Sequence, residues 1–218
     1  MKKVLGFSIM GVVVIGGLCG FIFGRNGVAK NYYTRPETSK TEKTLYNIEK
    51  ESRENMKSVD ANEDFTVVDS ELIKKNAESY AKETDQSQEK VEELMTKKSM
   101  ETRAFYLAAQ DEGISVTERE VSDAIEEVKT SYSKDETSKK QLQAIIAGSG
   151  MSEKEYWNNL RPEYEKNMVI NKYLEEQYLK LAKKSNIEYG TEEYYKKIEV
   201  WREDLAEKAI QKYNIIVE

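Results

Sequence analysis

Residues 101–129, ETRAFYLAAQDEGISVTEREVSDAIEEVK, decide the reading of the chain. Met100, Ala104, Phe105, Leu107 and Ala108 form an apolar stripe at helical spacing, and the stripe stops at Gly113. Glycine enters left-handed backbone without a Cβ clash, so it closes helices at that position. Thr117 followed by Glu120 is a capping box, in which each residue satisfies a free backbone N–H at the start of a helix. Val121, Ala124, Ile125 and Val128 then recur at i, i+3, i+4 and i+7, the period of an amphipathic helix. Two helices separated by a short, well-punctuated loop are therefore expected here.

The pattern extends in both directions. Upstream, Val91, Leu94 and Met95 carry the first stripe back to about Gln88, and a helix over roughly 71–83 precedes it, capped by Asp69 or Ser70. Downstream, a polar turn at 131–138 leads to a short helix with Leu142, Ile145 and Ile146, closed by Gly148-Ser149-Gly150. Ser152 and Glu155 make a second capping box and open a long helix to about Lys184. Pro162 is expected to kink it, because proline removes a donor and crowds the preceding turn. A last helix starts at Thr191, with Tyr194, Ile198, Trp201, Leu205 and Ala209 on one face. The β-branched runs Phe65–Val68 and Tyr213–Val217 sit at opposite ends of this helical set, and their pairing would join the ends with a two-stranded sheet. The expected domain spans 63–218 and is mainly α.

Residues 4–24, VLGFSIMGVVVIGGLCGFIFG, contain no charge and follow Lys2 and Lys3. A helix of that length spans roughly 30 Å, the hydrocarbon thickness of a bilayer. The expectation is a single membrane-spanning anchor with its N-terminus cytoplasmic and the bulk of the chain extracytoplasmic at the cell membrane. Two alternatives stay open. A cleaved signal would need a shorter apolar region and a small-residue site where Phe21, Ile22 and Phe23 stand. A lipoprotein signal would use Cys19, although Leu18 occupies the place of the usual small residue. Residues 25–62 are polar, with few apolar positions beyond Leu45, Ile48 and Met56, and are expected to be a linker with transient helix.

Composition limits the chemistry. The chain of 218 residues has no histidine, and Cys19 is its only cysteine. A Ser-His-Asp triad, a Cys-His pair and imidazole metal sites are excluded, so no catalytic residue, cofactor or metal site is assigned. The net charge is −6; setting aside the four cations of residues 1–30 leaves −10 on the remainder. So acidic a body repels nucleic acid. The acid pairs Glu126-Glu127, Glu175-Glu176 and Glu192-Glu193 lie among lysines on polar helix faces and are read as solvated surface. The 14 tyrosines, 7 methionines and 2 tryptophans are the unusual feature. Such side chains pack a core, and they also suit a surface that accommodates varied apolar segments. Trp157 and Trp201 fall within core stripes. Tyr106, Tyr156, Tyr164, Met168 and Tyr195 are the candidates for an apolar groove.

Residues 101–129, through Leu107, Gly113, Ile114, Val116, Thr117, Glu120 and Val121, resemble the N-terminal domain of SurA- and PrsA-like chaperones. Gln110 stands where that family places a small residue. The second piece, GMSEKEYWNNLRPEYEKNMVINKYLEE (150–176), is similar to the family's opening of the long helix that leaves the domain. The resemblance implies an extracytoplasmic folding factor that holds unfolded or exported polypeptides in a cradle of helices. Family members often insert a parvulin-type prolyl isomerase after the long helix. Here Lys184 and Thr191 are separated by six residues, and the histidine of such a site is lacking. Isomerase activity is therefore not expected. The alternative function is a cell-envelope scaffold that binds one specific partner.

Overall fold

The computed structural model describes residues 42–58, 64–134 and 136–218. The apolar run 4–24 and the first part of the expected linker lie outside the described residues. Among the described residues no helix is long and apolar enough to cross a membrane.

Among the described residues seven helices and two short strands follow one another: α1 (Glu42–Ser58), β1 (Val67–Val68), α2 (Ser70–Lys82), α3 (Gln88–Asp111), α4 (Glu118–Ser133), α5 (Glu136–Ser149), α6 (Glu153–Lys184), α7 (Glu192–Tyr213) and β2 (Ile216–Val217). The punctuation residues set the ends. Asp69, not Ser70, caps α2 by accepting from Leu72 N at 2.8 Å. Gly113 takes φ +70° after α3. Both capping boxes form: Thr117 with Glu120 at α4 and Ser152 with Glu155 at α6. Each cap of this kind contributes about 1 kcal/mol. The polar turn expected at 131–138 shrinks, because α4 continues to Ser133 and α5 begins at Glu136. The long helix α6 runs without interruption through Pro162, which is exposed, so water can take up the carbonyl left without a donor.

Helix α3 forms the centre of the packing, touching α2, α6, α7 and β1. Ala104, Ala108 and Ala109 are buried along it and let neighbours approach closely, while Met95 and Phe105 fill the space between them. The Phe105 ring lies 6.2 Å from that of Tyr173 on α6. Helix α4 packs on α5 and α6, where Trp157 is buried as its stripe predicts. Trp201 is only half-buried, against Tyr194.

The two ends of the domain do meet. Strands β1 and β2 pair in parallel, Val67 beside Ile216 and Val68 beside Val217. Ile216 N donates to Thr66 O at 3.0 Å, Glu218 N to Val68 O at 3.0 Å, and Ser70 N to Glu218 O at 2.7 Å. The final strand is shorter than its β-branched run, because Tyr213 remains helical and Asn214 turns the chain with φ +50°. That turn sends Ile215 into the core.

The linker expectation needs correction over residues 42–58. They form α1, which packs on α5 and α2 and buries Leu45 and Ile48. Few apolar positions were needed, because much of the contact is polar. Asn55 Nδ2 donates to Asn76 Oδ1 at 3.1 Å and to Ser79 Oγ at 3.2 Å, and Asn47 Nδ2 donates to Glu83 Oε1 at 3.0 Å. Gly148 supplies the rest: with no side chain on α5, the α1 backbone at Tyr46 comes within van der Waals range of it.

Candidate functional site

The five groove candidates do not form one groove. Tyr156 and Tyr164 are fully buried on α6, their rings 5.7 and 6.5 Å from Trp157. Helices α4 and α5 close over this part of α6, so both tyrosines belong to the core and the assignment of a surface role to them is corrected. Tyr195 is half-buried in a separate cluster, its ring 5.6 Å from Tyr194. Met168 is half-buried against the core. Tyr106 is half-buried on α3, with its ring 5.4 Å from Phe65. Burial, with Glu165 second, pushes its hydroxyl above the usual tyrosine range. Arg103 completes that corner, donating to Phe65 O at 2.8 Å with its guanidinium 5.1 Å from the Phe65 ring. These contacts fasten the entry of β1 onto α3.

The site that sequence reasoning missed lies between the first half of α3 and the second half of α7. It is an open cleft of about 1000 Å³. Its floor is apolar: Ala206 is buried, and Met100 and Ile210 are half-buried. Glutamates from both helices stand at its rim. The amphipathic period of each helix produces this arrangement. On α3, Glu89, Glu92 and Glu93 share a face with Thr96 and Met100; on α7, Glu203 and Glu207 share one with Ala206 and Ile210.

One end of the cleft is pinned by charge. Glu101, 7% exposed in its side chain, receives Arg202 Nη2 at 2.8 Å, and Lys97 Nζ reaches Glu203 at 3.3 Å and Glu101 at 4.0 Å. Burial, followed by repulsion from Arg202, holds the neighbouring Lys98 ammonium below its usual range. Further along, Asp111 accepts from both Lys212 Nζ at 2.8 Å and Tyr213 Oη at 2.7 Å. These bridges fix α7 on α3 while leaving the floor between Met100 and Ile210 uncovered. The lining combines an apolar floor with a rim of carboxylates.

Comparison with known proteins gives this framework its family. Residues 68–174 match the family model of the SurA-like N-terminal domain. The chain carries a SurA-like N-terminal domain. The match begins at β1 and ends within α6, so α1, α7 and β2 lie outside it. One wall of the cleft, α3, thus belongs to the SurA-like match, and the other, α7, is added beyond it. No match was found among curated proteins or among solved structures.

The sequence carried a signal for the cleft, although a weak one. An acid face that continues into Met100 on α3, and another that surrounds Ala206 on α7, look like any solvated helix surface until the two helices are placed together.

Proposed function

We propose that this protein is a membrane-anchored, extracytoplasmic holding chaperone that binds unfolded or newly exported polypeptides and has no isomerase activity. The observation that carries the proposal is the open, apolar-floored cleft between α3 and α7, on a domain of the SurA-like family. An uncovered apolar floor ringed by charge suits passive capture of an extended or helical segment, while the acidic rim keeps the complex in solution. The uncharged run 4–24 is the anchor in this reading, and residues 25–41 set the reach of the domain from the bilayer.

The full chain in mild detergent tests it against a chemically denatured client diluted into buffer, with aggregation followed by light scattering. Suppression at near-stoichiometric ratios is the expected result. No effect at a molar excess rejects the proposal.

One observation favours a second reading. Because Tyr156 and Tyr164 are buried, the aromatic surface is smaller than a promiscuous binder would use, and a scaffold for one folded envelope partner fits that restraint. Affinity purification from membranes separates the readings, a broad set of clients against one stoichiometric protein.

A further inference from the structure

The lining of the α3–α7 cleft is strongly one-sided in charge. It contains Glu89, Glu92, Glu93 and Glu101 from α3 and Glu203 and Glu207 from α7, against the one lysine Lys97. Lys97 and Arg202 pair with Glu101 and Glu203. Among the described residues, Glu89, Glu92, Glu93 and Glu207 make no ion pair. Glu89, Glu92 and Glu93 stand three and four residues apart on one helix face, where neighbouring side chains lie within a Debye length of about 8 Å and like charges repel. A cationic occupant relieves that repulsion. The apolar floor adds a second requirement, since a simple cation leaves the half-buried Met100 and Ile210 in contact with water.

We infer that the cleft takes a cationic amphipathic segment of another polypeptide. Its apolar stripe seats on Met100 and Ile210, either side of the buried Ala206, and its flanking lysines and arginines meet Glu89, Glu92, Glu93 and Glu207. Lys97 already shows how such a cation is held, with Nζ between a carboxylate of each helix. The α3 wall from Gln88 to Glu101 is roughly 20 Å long at the helical rise, which matches three to four turns of a helical occupant. The inference rests on the reading of the cleft as a polypeptide site, and it names the clients that site selects.

The experiment is fluorescence anisotropy with the full chain in mild detergent and three labelled peptides of equal length. One has an apolar stripe flanked by Lys and Arg, one has the same stripe flanked by Glu, and one has the composition of the first scrambled to destroy the stripe. The first is expected to bind about tenfold tighter than either of the others, and to weaken about tenfold between roughly 50 and 500 mM salt. The double variant Glu93→Lys/Glu207→Lys, at two exposed positions, is expected to invert the preference towards the Glu-flanked peptide. A misfolded variant would lose all three peptides rather than invert their order, and Ile210→Asp serves as an independent test of the floor.

Equal binding of the three peptides, or an order unchanged by charge reversal, overturns the inference. So does a gain of about tenfold on Lys30→Glu/Arg35→Glu/Lys40→Glu, which would make the chain's own basic segment the occupant. A concentration-dependent dimer dissolved by the double variant would make a second copy the occupant, with the same consequence. If the wild-type chain keeps denatured client soluble but shows no cationic preference, this inference fails and the holding function stands. If the preference holds while the client aggregates, the reverse is true.

Discussion

Replacing Gly148 by alanine tests whether residues 42–58 are part of the folded domain. Glycine within a helix costs up to about 1 kcal/mol relative to alanine, so helix propensity alone makes Gly148→Ala stabilising. The packing predicts the opposite sign. A Cβ built on Gly148 comes within 3.1 Å of the Tyr46 carbonyl carbon and Cα, and closer still to the Tyr46 carbonyl oxygen. All three are backbone atoms of α1, and no rotamer change relieves the contact. Helix α1 must withdraw, which loosens Leu45 and Ile48 from a site where they are 5% and 0% exposed. Overpacking of this kind costs about 1–3 kcal/mol; less the propensity gain, the net loss is up to about 2 kcal/mol. Ala147→Gly, at an exposed position on the same helix, calibrates the propensity and should lose up to about 1 kcal/mol. Urea unfolding of the full chain in mild detergent, followed by circular dichroism, measures both. Limited proteolysis within 42–58 should speed up for Gly148→Ala alone. A Gly148→Ala chain that gains stability refutes the packing of α1 on α5.

Three further outcomes follow from the same contacts. Glu49 is 1% exposed in its side chain, and burial raises its carboxyl above the ordinary range despite the opposing pull of Arg53. The folded state thus holds that proton more tightly than the unfolded chain, so the contribution of Glu49 to stability falls as pH rises through the folded value. Glu49→Gln should therefore flatten the stability profile above pH about 4.5, gaining most on the wild type near neutrality; parallel profiles from urea titrations across pH would contradict this. Glu101→Ala leaves Arg202 without its carboxylate at the α3–α7 contact and should cost about 2–4 kcal/mol by thermal or urea unfolding. Thr117→Ala removes the cap of α4 and should cost about 1 kcal/mol, without changing peptide affinity at the distant cleft.

Most of the helix order was legible because it is written in local chemistry. Gly113, Thr117 with Glu120, and Ser152 with Glu155 act within a few residues of themselves, so their effect does not depend on the rest of the fold. The pairing of the end strands was also legible, since β-branched runs flanking a helical set have few other partners. Helix α1 was legible only as transient helix, because Leu45, Ile48 and Met56 are too few to mark a buried face, and its docking also depends on Asn55, Asn47 and a glycine about 100 residues away. Two of the groove candidates, Tyr156 and Tyr164, were misplaced for a related reason. A tyrosine at the shoulder of a stripe looks alike whether a neighbouring helix covers it, as at Tyr156 and Tyr164, or leaves it partly open, as at Tyr106. The cleft between α3 and α7 depends on where two helices sit relative to each other, and no single window of sequence contains that.

The parallel pairing of β1 with β2 has a consequence for how the protein comes into being. Polypeptides are made, and emerge from a ribosome or an export channel, from the N-terminus onward. Here Val67 and Val68 must wait for Ile216 and Val217, and the core waits for Ile215. Helices can form as each segment appears, but this pairing closes only when residues 216–218 meet residues 66–70, since Ile216 N donates to Thr66 O and Ser70 N to Glu218 O. A domain joined by two segments this far apart in sequence stays pliable until the second of them is made, and then locks.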